Sequence, residues 1–359
     1  MRVVILGAGA GIAQSHLAAI KVVAAETEVE VVAVQDIDLE RAERTAEQVG
    51  CPAFTSIDEA LSVGSDLAVV VAPHPFHAPL AIAALDAGRH VLVEKPIADS
   101  VDQADRMLAA AQRNGRLLGV SLQQRTRGEV QAAHELIASG GLGVLQRVDL
   151  IGSWPRKRGY FEESPWRGTW RGEGGGVVIN QGQHDLDLLT YLVGPPRSVF
   201  GAARTRLHHI ETEDTAVALL EWSDGAIGNV HLSTVEVDLG QRLEITGTNG
   251  RIRLTHNQLE IVENETDFRE FVNFPGNPYA APPTRAVRTV HADNTNHTPV
   301  YRNFISAIAG EAALVAPAES ALATLELANA MLYSSAINAP VNLPLDRSAY
   351  AHFLSDKRS

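Results

Sequence analysis

The sequence predicts an α/β domain with a doubly wound parallel sheet, followed by an α+β domain with a large, mostly antiparallel open sheet. Three observations carry this. Up to residue 120, short β-branched runs alternate with amphipathic helical stretches, the pattern of parallel strands covered on both faces. A run of small residues, Gly7-Ala8-Gly9-Ala10-Gly11, falls between the first such strand and the first helix. After Leu122 the alternation stops, and strands then follow one another without crossover helices, as antiparallel pairing requires.

In chain order, Val3 to Leu6 reads as a strand and Ile12 to Ala25 as a helix. Val29 to Gln35 is a strand, Leu39 to Val49 a helix, and Ala53-Phe54 a short strand. Asp58 to Val63 is a short helix capped by Ser56 or Asp58. Leu67 to Val71 is nearly all apolar, as in a strand buried on both sides. Phe76 to Ala87 is a helix closed by Gly88, and His90 to Val93 a strand. Asp102 to Arg113 is a helix closed by Asn114-Gly115, and Arg116 to Val120 is the last strand of the series. The domain division is placed at residue 122, giving segments 1–122 and 123–359.

Beyond it, a helix is expected at about Glu129 to Ala138 and a strand from about Val144 to Ser153. The loop from Pro155 to Gly174 is too long to be filler and is expected to be functional. A helix from about Gly176 to Val193 ends at Gly194-Pro195-Pro196. Strands follow at Val199–Thr205, Thr215–Glu221, Ala226–Ser233, Arg242–Thr246, Arg251–Thr255 and Leu259–Val262. Ser223-Asp224-Gly225 and Asn249-Gly250 supply hairpin turns. A Pro/Asn-rich loop from Asn273 to Thr298 precedes helices near Val300–Ala309 and Glu319–Asn338.

The chain has 359 residues, 45% hydrophobic and 20% charged, with 30 Lys+Arg against 43 Asp+Glu. A net charge of −13 argues against nucleic acid as a partner, because phosphate neutralisation needs a basic surface. No apolar stretch approaches the length of about 20 residues needed to span a bilayer. The first residues read as a strand rather than a leader, so a cytoplasmic setting without membrane partners is expected. The single cysteine, Cys51, excludes a disulfide framework and is read as structural. His208-His209 lacks a third ligand at metal spacing, so no metal is expected.

Gly7, Gly9 and Gly11 stand where a dinucleotide loop must sit. Small residues there let backbone approach a pyrophosphate, and the following helix N-terminus offers free N–H groups. With Gly7 and Gly9 as the first pair, Ile12 occupies the usual third small position; Ala13 fits if the loop carries one extra residue. The second strand ends in Asp36, whose carboxylate suits a ribose diol and repels a 2′-phosphate, so NAD is expected rather than NADP.

Four further segments are specific in combination. They are Ala72-Pro73-His74-Pro75-Phe76-His77, Glu94-Lys95-Pro96, Trp166-Arg167-Gly168-Thr169-Trp170, and Gly174-Gly175-Gly176 continuing to Asn180-Gln181-Gly182-Gln183-His184-Asp185-Leu186-Asp187. In order and spacing this set resembles the Gfo/Idh/MocA family of sugar and polyol oxidoreductases, from Arg2 to about Leu345. The resemblance implies a Rossmann domain, NAD(P) at the strand C-termini, and substrate between the domains. It makes Lys95 the group contacting the reacting hydroxyl or carbonyl and His184 the general acid/base. Ala72, Pro73 and His77 would line the nicotinamide side, with Glu94 near the nicotinamide ribose. Where many polyol dehydrogenases of the family carry aspartate, this chain has Asn180, which cannot take up a proton at neutral pH. On the expected helix, Asn180 and His184 share a face at i and i+4.

Other substrate contacts are expected from position. The segment Trp154 to Arg171 gathers three of the four tryptophans with Arg156, Lys157, Arg158, Tyr160, Phe161, Arg167 and Arg171. Aromatic faces stack on sugar rings and guanidinium groups bind their polar substituents, so the segment is either a substrate wall, with Arg158 or Tyr160 touching substrate, or an oligomer contact anchored by its aromatics. Gln124 and Arg125 sit at the domain junction, and His297 can close the cleft. Asp187 is equally a structural or a site residue. The expected activity is NAD-dependent hydride transfer at a secondary alcohol or ketone of a cyclic sugar, sugar derivative or inositol-like polyol. Two alternatives stay open: an NAD-retaining glycoside-cleaving enzyme, and a non-catalytic cofactor-binding regulator. A homodimer or homotetramer packed through the open sheet is expected.

Overall fold

A computed structural model describes residues 1–237, 240–292 and 295–359. Asp293 and Asn294, within the expected Pro/Asn-rich loop, lie outside the described residues.

Six strands, β1 (Arg2–Leu6), β2 (Glu30–Gln35), β3 (Ala53–Phe54), β4 (Leu67–Val70), β5 (His90–Val93) and β6 (Leu118–Val120), form one parallel sheet in the order β3-β2-β1-β4-β5-β6. Val3 to Leu6 and Leu67 to Val70 have no exposed surface, because helices cover both faces and every side chain must be apolar. The strand order reverses between β1 and β4, opening a crevice at their C-terminal ends where ligands bind in such sheets. The helix Leu39–Val49 starts at Asp38, whose carboxylate accepts from Arg41 N, and ends at Gly50 with φ 72°. The helix Ile57–Ser62 is capped by the Ser56 hydroxyl, which decides between the two caps expected.

The second sheet has nine strands: β7 (Leu145–Ser153), β8 (Ser198–Arg204), β9 (Thr215–Glu221), β10 (Ile227–Ser233), β11 (Arg242–Gly247), β12 (Gly250–Thr255), β13 (Gln258–Asn264), β14 (Thr284–His291) and β15 (Val341–Asn342). Their order is β14-β13-β12-β11-β7-β10-β9-β8-β15, antiparallel except for the β7–β10 pair. Burial alternates along β9 to β12, so one face is packed and the other open. The helices Gln183–Val193 and Ala318–Ile337 lie on the packed face, and β8 runs against the latter.

Seven elements differ from expectation. The strand β14 occupies part of the expected loop; its sequence TRAVRTVH is largely exposed on both faces, so no apolar alternation marks it. The short strand β15 and the helices Phe268–Phe271 and Arg347–Arg358 have no counterpart among the expected elements. The Pro155–Gly174 loop contains two short helices, Arg158–Glu162 and Trp170–Glu173. The helix expected from Gly176 starts only at Gln183.

That late start has a local cause. Gly176 N and Val178 N donate to Glu213 Oε1 at 2.8 and 3.0 Å, and Val177 N donates to Glu213 O at 3.0 Å. Bound there, residues 176–182 form turns, with Asn180 N on Gly176 O and Gly182 N on Val177 O. A Cβ on Gly176 would lie 1.9 Å from Glu213 O, so only glycine permits the approach.

The chain finally returns to the parallel domain. Val300, Tyr301 and Phe304 of the helix Thr298–Ile308 join the core formed by Val3, Ile5, Leu17 and Ile20, and Val120 N donates to Ala316 O at 3.0 Å. Among the described residues, no helix is long and apolar enough to cross a membrane.

Candidate active site

The glycine loop follows β1 and packs against Ala72, just beyond the end of β4. Gly7 has φ 83°, and a Cβ there would lie 2.7 Å from Ala72 Cα, so a side chain is excluded both by conformation and by space. Gly9 N donates to Asp36 Oδ2 at 2.8 Å, and Asp38 N donates to Asp36 Oδ1 at 3.0 Å. The carboxylate is thus fixed at the end of β2 with lone pairs remaining for a diol. Nothing lies within 4 Å of a Cβ built on Gly11, and the helix Ala13–Ala24 begins after Ile12 without a side-chain cap. An open, uncapped helix N-terminus beside a fixed carboxylate fits the pyrophosphate and ribose of a dinucleotide.

Lys95 follows β5 and reaches into the second domain. Its Nζ donates to Asn180 O at 3.1 Å and to Asn180 Oδ1 at 3.3 Å. Burial lowers the Lys95 pKa, while the Glu94 and Glu173 carboxylates act in the opposite sense and Arg167 adds to the lowering. Asn180 Nδ2 donates to Glu173 Oε1 at 2.5 Å and to the Tyr160 hydroxyl at 3.3 Å; Gln181 Nε2 also donates to that hydroxyl, at 3.1 Å. Arg167 and Arg156 flank the Tyr160 ring at 4.2 and 5.1 Å from its centroid.

His184 is the second residue of the helix Gln183–Val193 and is half-buried. Its Nδ1 is enclosed without a hydrogen-bond partner among the described residues. Burial, then the Lys95 charge, pushes its pKa down to about 3. The imidazole is therefore neutral near pH 7 with one acceptor nitrogen, and a proton taken there is held weakly and passed on readily.

Glu94 sits beneath this pair in a closed network. His16 Nε2 lies 2.8 Å and His297 Nε2 3.3 Å from Glu94 Oε1, and Lys95 N donates to Oε2 at 3.1 Å. The Tyr301 hydroxyl is 2.8 Å from His16 Nδ1. Burial alone would raise Glu94, but the hydrogen bonds from His16 and His297 outweigh it and hold the carboxyl well below its ordinary value. An ionised Glu94 only accepts, so the network assigns protons to both Nε2 atoms. The three ligand-type atoms lie within 4.8 Å of one another, engaged in these hydrogen bonds.

The structure brings Gly7, Gly9, Gly11, Ile12, Ala13, Asp36, Ala72, Pro73, Glu94, Lys95, Tyr160, Asn180 and His184 toward the crevice and its domain junction. It revises five expectations. His77 has no exposed surface, and its Nδ1 and Nε2 each lie 2.7 Å from a carbonyl oxygen, of Pro96 and Ala72; it braces the cofactor-side loops instead of lining them. Arg125 is 1% exposed, with Nε and Nη2 on Asp187 at 2.8 and 2.5 Å and Nη1 on Ser320 Oγ at 2.7 Å. Every edge of its guanidinium is taken, and Asp187 is structural for the same reason. Arg158 is 83% exposed and bonds Glu162 within its own helix. His297 meets Glu94, and its ring packs 4.6 Å from His16, so it joins the domains where a substrate contact was expected. Asn180 shares no helix face with His184, since it precedes the helix.

Of the tryptophans, Trp154 packs against Gly152. Trp166 and Trp170 line a cleft of about 920 Å³ with Pro73, Phe76 and Arg171. Sequence reasoning missed Glu173, His16 and Tyr301. Glu173 is 1% exposed, and its position just before the glycine run was the available signal. His16 lies on an apolar helix face, where a buried histidine carries no motif of its own.

Residues 1–122 match the profile of the oxidoreductase family GFO/IDH/MocA, NAD-binding Rossmann fold, and residues 130–253 that of the GFO/IDH/MocA C-terminal domain. The D-glucoside 3-dehydrogenase of Escherichia coli (strain K12) is 27% identical over 351 residues, 94% of this chain and 95% of that protein. A putative UDP-kanosamine synthase oxidoreductase subunit of Amycolatopsis mediterranei (strain S699) is 33% identical over 185 residues, 52% of this chain and 49% of that protein. Against that relative and others like it, the chain spans about half their length. The WlbA dehydrogenase of Bordetella pertussis, crystallised with NADH and UDP-GlcNAcA, superimposes with a TM-score of 0.82 at 27% identity, covering 96% of this chain and 99% of that one. The two matched domains, the fixed Asp36 carboxylate and the Lys95 junction agree, and the chain belongs to the Gfo/Idh/MocA family of NAD-binding oxidoreductases.

Proposed function

We propose that this protein is an NAD-dependent dehydrogenase or reductase interconverting a secondary alcohol and a ketone on a cyclic sugar or sugar derivative. The observation that carries the reading is the meeting of Lys95 with Asn180, next to a neutral His184. The glycine loop with Asp36 would hold the pyrophosphate and adenosine ribose, and Ala72, Pro73 and Glu94 the nicotinamide side. The cofactor, when bound, supplies the hydride acceptor or donor.

The remaining chemistry belongs to the chain. Lys95 Nζ has three N–H donors, and two are spent on Asn180, so the third is aimed at the reacting oxygen. The ammonium stabilises negative charge developing there. His184 takes the alcohol proton in oxidation and returns it in reduction. Asn180 orients the lysine and moves no proton. Tyr160, with Arg156 and Arg167 on its ring, offers a flat and polar wall for a sugar. The near full-length likeness to a D-glucoside 3-dehydrogenase and the likeness to a dehydrogenase crystallised with a UDP-linked sugar support a ring substrate. The open sheet face would be covered by a second copy, in a homodimer or homotetramer.

The test is a panel of sugars, glycosides, nucleotide-linked sugars and inositols with NAD⁺ and NADP⁺, read as reduced cofactor at 340 nm, with Lys95→Ala alongside. NADH formation with a ring sugar, lowered about 100-fold or more in Lys95→Ala, is expected. Product without net NADH would favour the glycoside-cleaving reading. Turnover unchanged in Lys95→Ala would overturn the catalytic assignment.

A further inference from the structure

We propose that Glu173 is a positioning residue of this site: it holds the Asn180 amide so that the Asn180 carbonyl oxygen faces the Lys95 ammonium. The inference rests on the reading of Lys95 given above.

An amide side chain has an acceptor end and a donor end, and here both meet groups of opposite demand. Asn180 Oδ1 takes Lys95 Nζ at 3.3 Å, and Asn180 Nδ2 gives to Glu173 Oε1 at 2.5 Å. Turning the amide over would set its N–H groups against the ammonium and its oxygen against the carboxylate. Glu173 therefore decides which end Lys95 meets, and with it how many lysine N–H groups are left for the reacting oxygen.

The carboxylate is itself immobilised. Its Oε2 accepts Gly168 N at 2.5 Å, and it is the last residue of the helix Trp170–Glu173, which Thr169 caps by accepting from Gly172 N. Gly168 has φ 69°, with Ile210 Cγ2 2.7 Å from a Cβ built on it, so a side chain there has no room. The aromatic segment around Trp166 is thereby tied to the lysine through two side chains. Burial raises the Glu173 pKa to about 7, with the Gly168 N–H, the Asn180 amide and Lys95 opposing and Glu213 adding to the rise. Asn180 stands where many polyol dehydrogenases have aspartate; here the negative charge sits one side chain further out.

Glu173→Gln tests this. A glutamine has one acceptor oxygen and cannot serve Gly168 N and Asn180 Nδ2 together, so two amide N–H groups come to face each other. The expected result is a kcat lowered roughly 10- to 100-fold with the KM for NAD⁺ unchanged. Adding Asn180→Asp reverses the polarity of the pair: the introduced glutamine keeps Gly168 N on its oxygen, its amide donates to the new carboxylate, and that carboxylate faces Lys95. The double variant should recover most of the lost kcat. An unchanged kcat in Glu173→Gln, or a folded Glu173→Gln that Asn180→Asp does not improve, would overturn the proposal.

A second readout needs no turnover. In protein labelled with ¹⁵N-asparagine, the Asn180 side-chain amide protons should lie downfield and move upfield in Glu173→Gln. An unmoved resonance refutes the contact. Activity unaffected by Lys95→Ala, with the resonance shifted as expected, refutes the lysine reading alone.

Discussion

On the reading proposed above, Asp36 connects sequence to cofactor choice through a single side chain. One oxygen anchors Gly9 N and the other Asp38 N, so the residue shapes the loop as well as offering acceptors to a ribose. Asp36→Ser should raise the KM for NAD⁺ about tenfold, since a charge-assisted hydrogen bond is lost. It should also improve the NADP⁺/NAD⁺ ratio of kcat/KM, since the repulsion of a 2′-phosphate goes with the charge. Steady-state kinetics with both cofactors check this; an unchanged ratio would place the ribose elsewhere. At this scale the places of Lys95, His184 and Asp36 in the fold were legible, because each belongs to a short ordered pattern. Arg125 was not. Its partner Asp187 is 62 positions away, and only the meeting of the two segments shows that its guanidinium is spent inside the protein.

Among the elements, the segment from Gly174 to Val193 shows where periodicity misleads. Its composition suits a helix from Gly176, but Glu213 captures the first N–H groups and delays the helix to Gln183. That delay turns Asn180 toward Glu173 and Lys95. The helix is then fixed by the Arg125–Asp187 pair, which Thr324 Oγ1 also joins at 3.0 Å. Arg125→Ala leaves Asp187 buried without its counter-charge and should cost about 3–5 kcal/mol. Thermal and denaturant melts of the variant measure this; Arg125→Met with Asp187→Leu should recover much of it, because an apolar pair needs no counter-charge. The strand β14 illustrates the opposite failure. Its side chains carry almost no burial pattern, and backbone pairing with β13 is what makes it a strand.

For the whole molecule, the open sheet face and the buried ionisable groups set two expectations. On β8 to β10, Phe200 stands opposite Leu219, with Val217 and Ile227 on the same side, and all four are exposed. Light scattering should find a homodimer or homotetramer that Leu219→Glu weakens; a monomer at micromolar concentration would contradict it. In the pH dependence, burial holds His74, His77 and His184 below their usual 6.5. Their contribution is full above that value and is lost as pH falls. Glu173, Glu213 and Asp185 are raised to about 7, so theirs is full at acid pH and lost as pH rises toward 7. Between the usual carboxyl value of 4.5 and the histidine value of 6.5 the two trios oppose one another. Below 4.5 the histidines and the depressed Glu94 lose their contribution together, while the opposing rise of Asp185 fades toward its ordinary 3.8. Thermal melts should therefore change little within that window and fall steeply below it; a midpoint that rises on acidification below 4.5 would contradict the assignment. Local periodicity encodes the doubly wound domain, and ordered motifs along the chain mark the glycine loop, the lysine after β5 and the histidine of the second domain as candidates. The tertiary structure alone decided that Arg125 meets Asp187, His297 meets Glu94 and Glu173 meets Asn180. The first two pairings depend on how distant segments pack, and the third on Glu213 holding residues 176–178 so that Asn180 turns toward Glu173; a pattern along the chain carries no record of which buried polar group will need which partner.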